Sequence, residues 1–464
     1  MDCPLTSGVS PGTGGAAQPV IPVTGQQVPA RDLPDAGEVR RPPYGRNPAL
    51  AAHGVRARSE IVEAARELFK RNGYQATTVE SIGEATGRSG AAVYQYFEGK
   101  AEIFGIFLRE GGGDLIAVGE RFPVLTDDTA GRHALQRWIS TLMDVLDRHE
   151  MNFRLWPQIQ FAEPSLALIG HWNLSHFTEA VAKGLQAAKA HPPTPNITPL
   201  GMLSVLQWSF FMWHARDRKF PRERLERALA TTLHADLFSR PEPVDEFPVA
   251  AEEVEKIPSI PLGDALGLRR PLTARGVGTV QRILLAAADR FRETGFYGTS
   301  LSDVATAARV SHGSVYTYWA DRDALFATLA TDALSAIGPR VDALAEALRT
   351  PAGLYAWLDG WMSMLVTHGA VLFVWLHEVD APDLADLTAQ MNSVIDRAAA
   401  AFVESSANAP QEDPEALGVV LRALLTDVPY VLSVQLEILG RAATCAFIAG
   451  LLRSGVGARF PSAG

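Results

Sequence analysis

A chain of 464 residues exceeds what one hydrophobic core supports and implies about three domains. With 47% hydrophobic and 20% charged residues it has the composition of an ordinary globular protein and not of a disordered one, and its net charge of −10 excludes indiscriminate nucleic-acid binding while permitting a local basic face. Cys3 and Cys445 are its only cysteines, which argues against a structural disulfide or a cysteine metal site and suits a reducing cytoplasm.

Residues 1–50 are rich in Pro, Gly, Ala and small polar residues and carry no apolar period. Such a composition cannot offset the entropy of ordering, so this stretch reads as a disordered arm. It has neither the basic nor the apolar region of a secretory leader, and no apolar run along the chain approaches the ~20 residues that cross a bilayer. Arg40, Arg41, Arg46, Arg56 and Arg58 make the end of the arm and the start of the first helix basic. From Ile61, the positions Ile61, Ala64, Ala65, Leu68 and Phe69 follow the spacing of one helix face. Gly73 then ends that helix as a left-handed cap. Thr77 and Glu80 read as a capping box that opens a second helix with Val79, Ile82 and Ala85 inward. A turn at 86–88 leads to a third helix capped by Ser89, with Val93 and Phe97 inward. An aromatic-rich helical stretch follows, and SRPEPVDEFPVAAEEVEKIPSIPLGD, Ser239 to Asp264, is a Pro-rich acidic linker with a basic patch behind it at Arg269, Arg270 and Arg275.

The two sides of that linker repeat each other. The 44 residues from Ile61 align without a gap with the 44 from Ile283, at an offset of 222, and 12 are identical. The second copy repeats the same grammar in Phe291, Gly295, a Ser300–Asp303 capping box, Leu301, Val304, Ser311, Val315 and Trp319. Farther on, Trp138, His149 and Trp156 match Trp357, His368 and Trp375 at an offset of 219. The unit is therefore duplicated over more than 200 residues.

Two short helices behind a longer one form a helix-turn-helix. The run I–AA–LF–GY–TT–I–A–S–VYxYFxxK resembles the N-terminal domain of the TetR family, and the second copy, with GF–TS–V–A–S–G–VYTYW, resembles another. The resemblance implies an all-α fold of two TetR-like units, each a three-helix helix-turn-helix domain followed by a helical ligand-binding and dimerisation domain. The expected boundaries are an arm at 1–50, heads at 51–104 and 269–326, ligand domains at 105–238 and 327–454, a linker at 239–268 and a tail at 455–464.

A recognition helix sets its N-terminal side chains against base edges. Ser89, Gly90, Ala91 and Ala92, with Ser311, His312, Gly313 and Ser314 in the second copy, are short enough for close backbone approach. Tyr94, Tyr96, Tyr316 and Tyr318 either reach phosphates and bases or pack the small domain. Thr77, Thr78, Thr299 and Ser300 lie where a helix N-terminus favours phosphate. The resemblance implies a phosphate clamp at Lys100 and Arg322. Where the family commonly has AGVS at the turn, this chain has Thr86-Gly87-Arg88-Ser89 and Ala308-Arg309-Val310-Ser311. Arg88 and Arg309 are added candidates for DNA contact, and Arg309 costs roughly 1 kcal/mol if the turn is left-handed there. Basic and acidic residues balance at seven each from Arg56 to Phe104, so binding depends on how charge is distributed.

For the ligand domains, Trp138, Met143, His149, Phe153, Trp156, Phe161 and Trp172 in the first half, and Trp357, Trp361, Phe373 and Trp375 in the second, either line a pocket or fill helical core. The expectation is a repressor that holds a pseudo-palindromic double-stranded DNA operator with two heads from one chain and releases it on binding a small apolar effector. It would act as a monomeric pseudo-dimer or a homo-oligomer, with no membrane, cofactor or metal. The alternative is a scaffold or corepressor whose heads no longer bind DNA. No catalytic residues are expected: GVSPG at 8–12 has no strand before it, and His149-Glu150 and His377-Glu378 lack the second histidine of a zinc-protease string.

Overall fold

The computed structural model describes residues 48–192, 194–215, 220–238, 268–269, 274–379, 381–405, 413–435 and 439–455. The expected arm (bar its last three residues), the linker up to 267, the tail beyond Gly455, and Arg40, Arg41, Arg46 and Arg270 lie outside these residues, as do the side chains of Phe161 and Arg275. Every described element is helical.

The first unit begins with α1 (Pro48–Ala76), α2 (Val79–Ala85), α3 (Gly90–Val93) and α4 (Lys100–Glu120). Ile61, Ala65 and Phe69 of α1 are buried with Val79, Ile82, Val93 and Phe97, as the spacing predicts. Gly73 takes φ +76 and ψ 175. The positive φ is as expected, but the extended ψ makes a kink and not a left-handed cap, in a region that only glycine enters cheaply. The capping box is Thr78 with Ser81, not Thr77 with Glu80, and Ala85 is exposed. Gly83 takes the inward place: α2 and the approach to α3 are so close that a Cβ there would lie 2.9 Å from the Arg88 carbonyl oxygen. The rest of the unit is α5 (Thr129–Arg148), α6 (Glu150–Ala162), α7 (Pro164–Ala187), α8 (Thr198–Ala215) and α9 (Arg222–Phe238).

The second unit repeats this order as α10 (Ala274–Gly298), α11 (Leu301–Ala307), α12 (His312–Tyr318), α13 (Arg322–Asp342), a short α14 (Leu344–Ala347), α15 (Pro351–His377), α16 (Ala385–Ser405), α17 (Pro414–Leu425), α18 (Asp427–Tyr430) and α19 (Arg441–Gly450). Gly295 kinks α10 as Gly73 kinks α1, at φ +74 and ψ 176. The repeat persists past the heads: the Trp138 indole donates to the Val118 carbonyl at 2.9 Å, and Trp357 donates to Arg340 at 2.8 Å. One element differs. Where the first half breaks at His149 into α5 and α6, the second runs straight through as α15.

The halves join through their last helices, so segments 199–218 and 416–437 meet as far as they are described. α8 and α9 pack against α17, and α9 also meets the π-helical turn Leu451–Gly455. α8 is apolar around nearly its whole circumference and buried accordingly, the mark of a helix enclosed on all sides. Gly201 admits the Phe447 ring, which a Cβ would meet at 2.2 Å, and the Trp208 ring stands edge-on to Phe373 at 5.2 Å. At the rim, Arg224 forks onto Asp413, with Nη2 at 2.7 Å from Oδ1, and reaches Glu415 at 3.1 Å. Two segments, Pro351–His377 and Pro414–Val434, are long and apolar enough to cross a membrane by length and composition, contrary to the sequence reading. Their apolar surface is largely spent inside the protein: more than half of the first and most of the second is buried.

Candidate nucleic-acid interface and effector cavity

Each head presents a short helix whose start is fixed by its own serine. Ser89 Oγ accepts from the Ala92 amide at 3.2 Å and Ser311 Oγ from the Ser314 amide at 3.2 Å, each satisfying an amide that the helix leaves unpaired. Around these caps Ala91, His312 and Gly313 are exposed, and Gly90 and Ser314 half-buried. His312 Nε2 lies 3.2 Å from Ser302 Oγ, which orients the ring along the face. Tyr94 and Tyr316 are 47% and 50% exposed, too open to be holding the core. Tyr96 and Tyr318 are half-buried and packed on it. Thr78 and Ser300, the caps of α2 and α11, stay at the surface. Arg309 is exposed at φ +55, the position where the first head has Gly87 at φ +67.

Other expected contacts face inward. Thr77 and Thr299 are buried, and each hydroxyl donates at 2.8 Å to the carbonyl of its kink glycine, Gly73 or Gly295. They hold the bend and offer no side chain to a phosphate. Arg88 is tied to Glu60 at 2.6 Å and to the Thr86 carbonyl at 3.0 Å. Arg88 and Arg56 beside Glu60 hold that carboxyl below its ordinary range. Lys100 donates to the carbonyls of Tyr74, Gln75 and Thr77 at 2.8, 3.2 and 3.0 Å, and burial lowers its pKa. It caps the end of α1, as a cation there should. Arg322 stacks instead on Phe296, 4.2 Å from the ring centroid, and on Tyr297 at 5.3 Å.

Lys100 also lies 4.4 Å over the Tyr74 ring, and the Tyr74 hydroxyl donates to Glu163 at 2.8 Å. Burial, then that carboxylate, raises the Tyr74 pKa. Glu163 is the single residue between α6 and α7, so one knot binds the first head to both. In the second unit Glu378, at the end of α15, accepts from the Phe296 amide at 2.7 Å.

Between α4, α6, α7 and α8 lies a cavity of about 100 Å³, bordered from the second unit by Val431 and Leu432. Of the expected ligand residues Phe153 and Trp156 line it. Trp138 and Met143 are core. His149 sits at the α5–α6 break with Nε2 2.9 Å from Asp114, which with Arg148 holds Asp114 below its ordinary range. Trp172 lies tilted against His176, with ring centroids 4.1 Å apart. The second-half aromatics serve packing: Trp357 stacks on Trp361 at 4.9 Å, Trp361 and Trp375 donate to the Leu425 carbonyl and to Thr388, and Phe373 meets Trp208. The sequence reading missed the rest of the wall. Asn152 and Asn173 are set against Gly111 and Gly112, where Cβ atoms would lie 2.7 and 2.0 Å from their amide nitrogens. Three successive glycines at 111–113 inside a helix, facing polar residues on apolar stretches, were the available signal.

The model of the family described as "Bacterial regulatory proteins, tetR family" matches residues 61–105 and 283–329. The repressor AcnR of Corynebacterium efficiens is 41% identical over 56 residues, 12% of this chain and 30% of that protein. The activator FasR of Mycolicibacterium smegmatis is 24% identical over 173 residues, 36% of this chain and 76% of that one. The solved fatty acid degradation regulator FadR from Bacillus halodurans has 16% identity and a TM-score of 0.32, covering 40% of this chain and 97% of its own. The chain spans about a third or less of the length of the first curated relatives it matches.

Proposed function

We propose that this chain, which carries two TetR-type helix-turn-helix domains in tandem, is a transcriptional repressor that grips one operator with both heads and lets go when a small molecule fills its cavity. The observation that carries the reading is the pair of exposed faces built alike, Ser89 to Tyr94 and Ser311 to Tyr316, within one chain. Heads of this kind reach adjacent major grooves about 34–36 Å apart. Because 32 of the 44 aligned head residues differ, the two half-sites differ, and the operator is an imperfect palindrome. Tyr94→Ala weakens binding at one half-site and Tyr316→Ala at the other, and footprints on a two-half-site probe read this out. Affinity falls as salt rises if the heads meet phosphates. Affinity for the probe that neither salt nor the double tyrosine variant changes would favour a scaffold instead.

Effector coupling runs through the knot at Glu163. A molecule between α6 and α7 shifts the residue that joins them, and with it the end of α1 and the start of α4. Coupling of this sort typically amounts to 1–3 kcal/mol. Trp156→Ala therefore blunts effector response and leaves DNA affinity without effector nearly unchanged, as a titration of the DNA complex with lipophilic compounds would record.

A further inference from the structure

We infer that the cavity takes an uncharged small molecule bearing one hydrogen-bonding group, of the class of aromatic or short aliphatic alcohols and amides, and that it rejects carboxylates. Among the described residues no charged side chain lines the cavity: its wall is Leu, Val, Gly, Phe and Trp, with Asn152, Asn173, Ser204 and Gln207. An anion entering such a wall loses its hydration and finds no counter-charge. The amide groups of Asn152 and Asn173 are already engaged, donating to the carbonyls of Phe107 at 2.6 Å and Leu108 at 3.0 Å.

Ser204 is different. It is 7% exposed, it lines the cavity, and its hydroxyl has no hydrogen-bond partner among the described residues. A serine inside a helix ordinarily bonds back to the carbonyl four residues before it, and a buried hydroxyl left unpaired is costly. A hydroxyl both donates and accepts, so an alcohol, phenol or carboxamide completes it. A space of about 100 Å³ is on the scale of cavities that hold a single aromatic ring, roughly 150 Å³ in an engineered case. Val431 and Leu432 make the site a joint product of both units.

What occupancy does to DNA rests on the reading above; occupancy itself is measured on the free full-length protein. Toluene, benzyl alcohol and benzoate are titrated at neutral pH, followed by the fluorescence of Trp156 and Trp208 in the wall and by calorimetry. Benzyl alcohol is expected to saturate, with benzoate weaker by about tenfold or more. Ser204→Ala is expected to weaken benzyl alcohol about fivefold, the scale of one neutral hydrogen bond, and to leave toluene unchanged. Leu174→Trp, which fills the space from the wall, is expected to abolish all binding. Benzoate binding as tightly as the alcohol overturns the inference. So does an unchanged alcohol-to-toluene ratio in Ser204→Ala, uptake that survives Leu174→Trp, or no uptake of any probe by the unaltered protein. Loss of this inference with intact DNA binding leaves the reading of the heads standing, and probe uptake without DNA binding leaves the cavity standing.

Discussion

Arg309 occupies with φ +55 the turn position where the first head has Gly87. A left-handed conformation costs a non-glycine residue roughly 1–2 kcal/mol. Arg309→Gly should therefore raise the melting midpoint of the protein, and it should also weaken DNA binding if the exposed guanidinium reaches the backbone. A residue kept in strain is a functional candidate for that reason. Elsewhere the residue scale was only partly legible. Ser300 and Asp303 were read correctly, and the offset of 222 carries that box onto Thr78 and Ser81; local pattern alone suggested Thr77. The resemblance implies a phosphate clamp at Lys100, and nothing in its sequence neighbourhood names the carbonyls, 23 to 26 residues earlier, that bind it instead. The buried pair Asp332 and His368 gives a pH test. Burial holds the Asp332 carboxyl up to about 6, and burial, then Arg340, pushes His368 down to about 4; the two lie 3.6 Å apart. The folded state holds Asp332 protonated where the unfolded chain has lost that proton, so this group's stabilisation is lost as pH rises from about 4 through 6. His368 acts in the opposite sense, its stabilisation being lost as pH falls from about 6.5 through 4. His368→Gln should thus leave a melting midpoint that declines with rising pH across this window, and Asp332→Asn one that declines with falling pH.

At the scale of elements, α4 and its counterpart α13 are built for different work. α4 carries Gly111, Gly112 and Gly113 beside the cavity, where α13 has Ala333, Leu334 and Ser335. Each glycine costs a helix about 1 kcal/mol against alanine, yet alanine at 112 would set a Cβ 2.0 Å from the Asn173 amide. The clash should outweigh the propensity, since overpacking typically costs 1–3 kcal/mol. Gly112→Ala alone should lower the melting midpoint, and adding Asn173→Ala should recover most of the loss. A single variant as stable as the parent would mean that Asn173 swings aside freely. Helix existence and faces were legible from periodicity because burial sets that period. The break at His149 was not, since His368 occupies the matching place in an unbroken helix and differs only in what packs around it.

For the whole molecule, the joining of the halves was legible in outline, because α8 has no polar face to give to water and must be covered by something. Which helices cover it depends on shape, as at Gly201 and Phe447, and no single-residue pattern encodes that. If the internal pairing is the one used in solution, the mass of the free protein should be that of one chain, and one chain should protect both half-sites. Arg224→Ala should weaken the pairing only slightly. It removes one solvent-screened charge cluster, and such surface pairs contribute little, from a seam made mainly of apolar burial. A stable dimer held by α8 and α17 from different chains would refute the arrangement.

The straight course of α15 has a consequence for dosage. Trp375 is fastened to Thr388 where Trp156 borders the cavity of the first unit, and on the function proposed above a pair of heads answers to that one receptor site. Occupancy by a single molecule then decides the state of the whole operator, and the response to effector concentration should be hyperbolic, with a Hill coefficient of about one and one molecule bound per chain. A paired homodimer must inherit every substitution twice. On the proposed function, one half of this chain senses and the other supplies rigidity, and the induction curve is where that division would be read.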